Sequence, residues 1–452
     1  MPANKHLLLL NPWVYDFTAC DFWLRPLGLL YLAAILRKYT TFQVDFLDFL
    51  DSTRVVGYPG FRPRLRADGR ASFYKEEVPK PEIFRHIPRK FSRYGWPLNL
   101  AEDSLKRLPT PEAVLLTCTM TYWYPGVQAA VEVVRKIFGR VPVILGGIYA
   151  SLCPEHAARE SGADLVVAGP GENRILGLLE EICGRGLLKP GVESVFFSGL
   201  DSLPTPAYDL YQDRSVACLL TSRGCPFTCS YCASRQLQPQ FEPRSPDKVV
   251  SEIINLQRLG ARQIAFYDDA LLVNKEQHLE VILDRIIALS PGLNFHTPNG
   301  LSPRAFDYGL AVRLRQAGFS SIFLSLENAD PAWLRETGPK VSPADLERAL
   351  TFLEQAGYRR EEISVYLLVG HPSQTREQVV DSLRLVKHLG ARPRLAYYSP
   401  VPGTLDWQRL LESGQVRADF DPLLHNKLVF PYVWGRISPA DLEEIKRECR
   451  GG

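Results

Sequence analysis

The chain has 452 residues, of which 46% are hydrophobic and 23% charged. That balance fits a globular protein of two or three domains and excludes a single core or a disordered chain. Net charge is only +3, and nine cysteines, odd in number and mostly scattered, exclude a disulfide framework and fit a reducing cytoplasm.

No run approaches the roughly 18 apolar residues of a membrane helix. The first apolar run, Leu7–Leu10, stops at Asn11-Pro12 and is too short for a targeting segment. From there, residues 7–51 read as strand, helix, strand. The helix spans Leu27–Leu36 and ends at Arg37-Lys38, cations suited to its negative pole. The second strand spans Gln43–Leu50.

Residues 52–110 interrupt this pattern. Between Ser52 and Leu108 stand thirteen Lys/Arg against six Asp/Glu, so the segment carries +7 and the rest of the chain −4. Its Pro, Arg and aromatic content predicts short helices and ordered loop without a separate core. The charge suits an anionic small-molecule substrate. Interleaved aromatic and basic residues also match single-stranded nucleic acid, but a solvated covering is the plainer alternative, and nucleic acid is not expected as a partner.

The alternation then resumes, with strands over Ala113–Thr117, Val141–Leu145 and Leu165–Ala168 and a helix over Val127–Phe138. It predicts a parallel sheet covered by helices. Ligands of such sheets lie beyond the strands' C-terminal ends. Gly146-Gly147 and Gly169-Pro-Gly171-Glu172 both fall there. The first domain is set at 5–195 and a linker, with Pro204-Thr-Pro-Ala-Tyr, at 196–214.

A second domain is expected over 215–405. Ser245-Pro246, Ser302-Pro303 and Ser342-Pro343 each read as a helix start, and Gly260, Gly318 and Gly357 as the matching ends. Strands are predicted at Val216–Thr221, Gln263–Tyr267, Leu293–His296, Ser321–Leu326, Ser364–Val369 and Arg394–Tyr398. Six strand–helix units permit a partial barrel or an open doubly wound sheet. A tail over 406–452 ends in an amphipathic helix from Ser438.

Directly after the first strand of this domain comes Cys225-Pro-Phe-Thr-Cys229-Ser-Tyr-Cys232. Thiolates two to four residues apart on a loop can turn to one centre, and they suit iron–sulfur clusters or zinc. Three of them leave a position open, as a reactive centre requires. The alternative is a structural zinc site, with Cys218 nearest as a fourth ligand, although Cys218 reads as a core residue. The other strand ends are polar, with Asp268-Asp269, His296, Asn299, Ser325, Glu327 and Gly370-His371. Plain readings exist here too: Asp268 and Asp269 as helix caps, His296 as a satisfied barrel residue, His371 as a turn residue.

The cysteine segment, including Tyr231, resembles the signature of the radical S-adenosylmethionine (SAM) family. The resemblance implies a partial (β/α)6 barrel over 215–405 and a 4Fe–4S cluster on Cys225, Cys229 and Cys232, with SAM on the fourth iron. By the same resemblance, Tyr231 belongs to the SAM site and Asp268 or Asp269 contacts the SAM amino group. Glu327 holds the ribose with Ser325 beside it, Asn299 reaches the ribose or methionine end, and Gly370 packs on adenine. The family's G-G-E is replaced by Tyr267-Asp-Asp269.

The N-terminal domain is similar to cobalamin-binding domains in Leu8–Pro12, Pro26-Leu-Gly-Leu, Thr117-Cys-Thr-Met120, Gly146-Gly147 and Gly169-Pro-Gly-Glu172. This implies an α/β, flavodoxin-like fold with cobalamin near Thr117, Gly146, Gly147, Gly169 and Gly171. The D-x-H-x-x-G motif is missing, and Asn11–Pro26 contains no histidine, so readings with and without cobalamin both stand. The implied chemistry is reductive cleavage of SAM to a 5′-deoxyadenosyl radical that activates an unactivated C–H bond of a small molecule. Methyl transfer follows if cobalamin is present, and cyclisation, rearrangement or oxidation if it is not. A one-electron donor such as flavodoxin or ferredoxin and low-oxygen conditions are implied as well. No catalytic side chain is assigned, and a zinc-stabilised binding module is the reading from another class.

Overall fold

The computed structural model describes residues 5–338, 341–433 and 436–450. The chain divides between Arg214 and Ser215 into two compact units.

The first unit is built on a parallel sheet of His6–Asn11, Gln43–Asp48, Ala113–Cys118, Val143–Gly147 and Leu165–Val166. In space the second of these strands lies beside the first, followed by the third, fourth and fifth. Order therefore reverses between His6–Asn11 and Ala113–Cys118, and ligands of doubly wound sheets collect at such a switch point. Leu7, Leu9, Leu115 and Ile144 join Leu36 and Phe42 in one buried cluster. The helix Leu27–Tyr39 covers one face, with Arg37 and Lys38 in its last turn.

The basic insertion departs from expectation. Ser92–Tyr94 pairs antiparallel with Val14–Asp16 of the first loop on one side and with Lys75–Glu77 on the other, making a small sheet. Phe17, Phe84 and Phe91 pack against each other beneath it, with ring centroids 4.9–5.8 Å apart, so the segment does have a small core. Its charges are also partly used internally. Arg93 pairs with Glu76 and lies over the Trp13 ring, and Lys90 pairs with Glu77.

Asp48, at the end of its strand, is buried. It accepts from Asn11 Nδ2 (2.7 Å) and Leu50 N (2.9 Å), and Tyr211 donates its hydroxyl to the other oxygen. Burial outweighs these donors and pushes its carboxyl up to about 6. A raised carboxyl pKa means that the folded chain holds more protons than the unfolded chain between about 3.8 and 6. The stability is therefore full below that window and falls as pH rises through it. Asp48→Asn keeps the shape without the charge. We expect it to flatten the pH dependence of urea unfolding across this window and to stabilise the chain at pH 7.5 by roughly 2–3 kcal/mol.

The second unit is a row of parallel strands in chain order: Val216–Leu219, Gln263–Phe266, Asn294–His296, Phe319–Ser321 continuing as Phe323–Glu327, Ser364–Val369 and Arg392–Tyr397. The fourth strand breaks at Ile322. Its first half pairs with Asn294–His296 and its second with Ser364–Val369. Helices such as Pro246–Leu259, Tyr308–Ala317, Pro343–Gln355 and Arg376–His388 intervene, giving the expected (β/α)6 arrangement. Gly260 and Gly318 end their helices in left-handed conformation.

The helix starts are more varied than the Ser-Pro repeat predicts. Ser342 caps its helix in a reciprocal capping box with Asp345, whereas Ser245 makes no side-chain cap bond. Ser302-Pro303 opens only a 3-10 turn. The helix after it starts at Tyr308, where Asp307 accepts from Leu310 N at 2.8 Å. The tail helix Pro439–Arg450 is anchored to the preceding barrel helix by the Arg376–Glu444 ion pair. No helix among the described residues is long and apolar enough to cross a membrane.

Candidate functional site

The cysteine loop leaves the first barrel strand through a narrow neck, in which Ser222–Arg223 pairs with Glu242–Pro243. Gly224 follows at φ +81°, and a Cβ there would lie 2.4 Å from the Gln240 carbonyl oxygen, so only glycine fits. Buried Arg244 braces the neck, donating to the Leu220 carbonyl (2.9 Å) and pairing with Glu252 (2.8 Å).

Cys225 is buried, Cys229 half-buried and Cys232 exposed, all as free thiols. Cys218 is fully buried in the strand, as a core residue should be. Among the described residues no three His, Cys, Asp or Glu side chains stand in metal-holding geometry, the three cysteines of the loop included. The donor set fits an iron–sulfur cluster: three soft thiols on one eight-residue span, with Gly338 leaving space beside Cys229, where a Cβ would come 3.0 Å from Sγ.

The loop opens on a cavity of about 410 Å³. Its wall includes Cys229, Asp269, Asn299, Ser325 and Arg304, with apolar surface from Phe227 and Leu272 among others. Four of the residues predicted from strand ends or from the cysteine motif are thus brought together. Asn299 is held by its side chain, whose Nδ2 donates to the Tyr267 carbonyl at 2.8 Å. Gly300 must be glycine, since a Cβ would lie 2.3 Å from Ser325 Oγ.

Other predicted residues lie outside that wall. Asp268 turns inward instead of capping a helix. It accepts from the Thr221 amide (3.1 Å), Thr221 Oγ1 (2.7 Å) and Ser222 Oγ (2.6 Å), and so latches the first strand's exit to the second strand. Burial still pushes its carboxyl up against those donors. Of the pair, Asp269 is the one exposed at the cavity. Gly370, at φ +93°, is covered by the Phe430 ring, 2.5 Å from where a Cβ would sit. His296 meets Gln263 Oε1 through Nε2 at 2.8 Å.

Glu327 and Tyr231 are neighbours behind the wall. Glu327 ends its strand at φ +70°, a strained conformation for a non-glycine residue that often marks a functional position. Burial drives the Tyr231 phenol well up, with further push from Glu327 and Cys229. The Tyr231 ring stacks on Trp333, centroids 6.4 Å apart. His371 opens a turn, its carbonyl accepting from the Gln374 amide at 2.9 Å. It is buried, with Nε2 2.7 Å from Asp406 Oδ2. Sequence reasoning missed Arg304, Gly338 and Asp406, which follow no motif and are brought in from other strand–helix units.

In the first unit Thr117, Gly146 and Gly147 lie on adjacent strand ends, since Thr117 pairs with Gly146 and Cys118 with Gly147. A Cβ on Gly147 would meet Thr117 Oγ1 at 2.6 Å and the Cys118 carbonyl oxygen at 2.8 Å. One on Gly146 would find its nearest atom 4.0 Å away, and one on Gly169 nothing within 4 Å. Ser151, which sequence reasoning also missed, ties the two glycine loops by donating to the Gly147 carbonyl (2.8 Å) and accepting from Gly169 N (2.9 Å). The result is a shelf at the C-terminal ends of the third, fourth and fifth strands, open above Gly146 and Gly169, with room for the broad face of a corrin ring. Burial pushes the Cys118 and Cys153 thiols up to about 12, so neither is a ready metal ligand.

Comparison with known proteins finds a family for each of the two units. Residues 219–386 match the model of the radical SAM superfamily, and residues 101–179 match that of the B12 binding domain. The second match contains all five residues of the shelf but not the loop Asn11–Pro26. An uncharacterized methyltransferase of Pyrococcus horikoshii is 26% identical over 66% of this chain and 69% of its own length. Cytidylyl-2-hydroxyethylphosphonate methyltransferase of Streptomyces wedmorensis is 23% identical over 81% of this chain and 73% of its own length. For anaerobic magnesium-protoporphyrin IX monomethyl ester cyclase of Cereibacter sphaeroides the match is 25% identical and covers 52% of that protein. The fold matches that of TsrM, a radical SAM methyltransferase of Kitasatospora setae solved with cobalamin and a 4Fe–4S cluster, at a TM-score of 0.63 and 18% identity, over 91% of this chain and 75% of TsrM.

Proposed function

Because the chain belongs to the radical SAM superfamily and carries a B12-binding domain ahead of the barrel, we propose that it is a cobalamin-dependent methyltransferase acting on an unactivated carbon of a small molecule. The observation that carries the reading is the three-thiol loop opening through Cys229 onto a cavity lined by Asp269, Asn299, Ser325 and Arg304. Cys225, Cys229 and Cys232 would hold the cluster, and the shelf of Thr117, Gly146, Gly147, Gly169 and Gly171 would hold cobalamin. Bound together, these groups supply the electron that cleaves SAM reductively to the 5′-deoxyadenosyl radical and the means of passing a methyl group to the activated carbon.

The chain's own residues bind and orient. Asp269 suits the ammonium of SAM. Glu327, fixed at its strained strand end, is suited to the ribose hydroxyls, with Ser325 on the same strand. Apolar wall residues such as Phe227 and Leu272 keep water from the reacting centre.

Arg304 supports an anionic ligand. It lies on the cavity wall, and no hydrogen bond or ion pair engages it among the described residues. Arg304→Ala should weaken SAM binding about tenfold or more, as loss of a charge-assisted hydrogen bond does, when measured by equilibrium dialysis. An unchanged SAM affinity with a raised substrate KM assigns the cation to the second substrate instead. The physiological one-electron donor is proposed to be a flavodoxin or ferredoxin.

The test is anaerobic. The protein is reconstituted with iron and sulfide, given SAM, a strong reductant and hydroxocobalamin, and its nucleoside products are identified by mass spectrometry. We expect 5′-deoxyadenosine, with S-adenosylhomocysteine only when cobalamin is present. Formation of 5′-deoxyadenosine without S-adenosylhomocysteine under any condition rejects methyl transfer in favour of cobalamin-free chemistry. Neither product, from protein carrying zinc, rejects the radical reading itself.

A further inference from the structure

Ser230 lies between the second and third cysteines, and its backbone and side chain are engaged from two separate helices. Its amide donates to the Thr337 carbonyl at 2.7 Å. Its carbonyl accepts from the Asp406 amide at 3.0 Å, and its hydroxyl donates to Asp406 Oδ2 at 3.0 Å. Asp406 belongs to the first turn of the helix Leu405–Glu412, which follows the last barrel strand. A carboxylate there also suits the helix's positive end.

Asp406 is in turn oriented. His371 accepts the Ser373 amide at Nδ1 (3.2 Å), which leaves the ring proton on Nε2 to be donated to Asp406 Oδ2 at 2.7 Å. Arg409 reaches the other oxygen at 3.2 Å. Trp333 and Tyr398 pack edge-on against the His371 ring, centroids 5.2 and 5.1 Å away, and Tyr231 stacks on Trp333. Ser230, His371 and Asp406 are all at most 3% exposed. Burial alone would raise the Asp406 carboxyl, but the His371 and Ser230 donors and Arg409 outweigh it and hold it below the usual range.

We propose that Asp406, oriented by His371, is a positioning residue for the iron–sulfur centre: through Ser230 it fixes the half of the loop that carries Cys229 and Cys232. The barrel strand supplies the root of the loop near Cys225, and the Ser230 clasp supplies the other anchor. Partners that orient metal ligands without touching the metal commonly change metal affinity about 10–100-fold when removed. The inference rests on the reading of the three cysteines as cluster ligands.

The test compares full-length wild type, D406A, D406N and S230A after anaerobic reconstitution. The readouts are the rate of iron release to a chelator, the EPR spectrum of the reduced cluster with and without SAM, and thermal melting. In D406N the amide's carbonyl oxygen still accepts from Ser230 and His371, so this variant should match wild type within about twofold. D406A should release iron about 10–100-fold faster with altered g-values, and S230A should change in the same direction even if D406A fails to fold. Wild-type release and spectra in a folded D406A or S230A overturn the proposal, as does D406N failing as badly as D406A. A wild type that takes up no iron overturns the cluster reading as well, so the two failures are distinguishable.

Discussion

Cys229→Ala, reconstituted anaerobically, stays folded, carries no brown chromophore and forms no 5′-deoxyadenosine. Three thiolates are the fewest that keep a 4Fe–4S cluster with one iron open to SAM, so removing one should take activity below detection. The fold should survive because Cys229 is half-buried on a loop whose neck is held independently by Arg244 and Gly224. The stability change is expected within about 1 kcal/mol. Cys218→Ala is the contrasting control: fully buried in the strand, it should lower stability by about 1 kcal/mol and still load the cluster. If Cys229→Ala unfolds, the metal contributes folding energy and the centre is structural. If it remains active, the cysteine assignment is wrong.

Gly146→Leu abolishes cobalamin binding with little effect on folding. The nearest atom to a Cβ at this position is 4.0 Å away, and the residue is not among those at positive φ, so the protein itself tolerates a side chain. A corrin ring lying on the shelf does not. The expected result is at least a hundredfold loss of hydroxocobalamin affinity by absorbance titration, with a melting temperature within a few degrees of wild type. Gly147→Ala serves as the counterpart. Here φ is +90° and the Cβ meets Thr117 Oγ1 at 2.6 Å, so the unit itself is strained, by about 1–3 kcal/mol. Unchanged cobalamin affinity in Gly146→Leu would move the ligand off this shelf.

The two sheets and the cysteine loop were legible because their signals are local. Runs such as Leu7–Leu10 and Ser364–Val369 are continuous and apolar, and glycines at Gly260 and Gly318 mark helix ends that the backbone needs. The small sheet of the insertion was not legible. Its strands are three residues long, and Val14 meets Tyr94 across eighty residues of chain, too short a pattern to show an alternation. Ser302-Pro303 misled because Asp307, five residues on, offers the following helix its side-chain cap. Asp268 and Asp269 are indistinguishable as letters. Only the backbone turn decides that one latches two strands and the other faces the cavity. The functional residues missed by sequence reasoning, Arg304, Gly338 and Asp406, come to the loop and cavity from strand–helix units far along the chain, a juxtaposition that leaves no trace in local sequence.

The clasp on Ser230 also sets an order of events during synthesis. Ser230 and Asp406 are 176 residues apart in the chain. At a translation rate of about 5–20 residues per second, the cysteines leave the ribosome roughly 10–35 s before the carboxylate that fastens their loop exists. Throughout that interval the loop has its neck and, once Thr337 is made, the bond to the Ser230 amide, but not the carboxylate half of the clasp. If the clasp positions the cluster ligands as proposed, stable retention of a cluster is expected only once the last strand and the helix that follows it are complete. Chains truncated before Asp406 should emerge with intact cysteines and little retained iron.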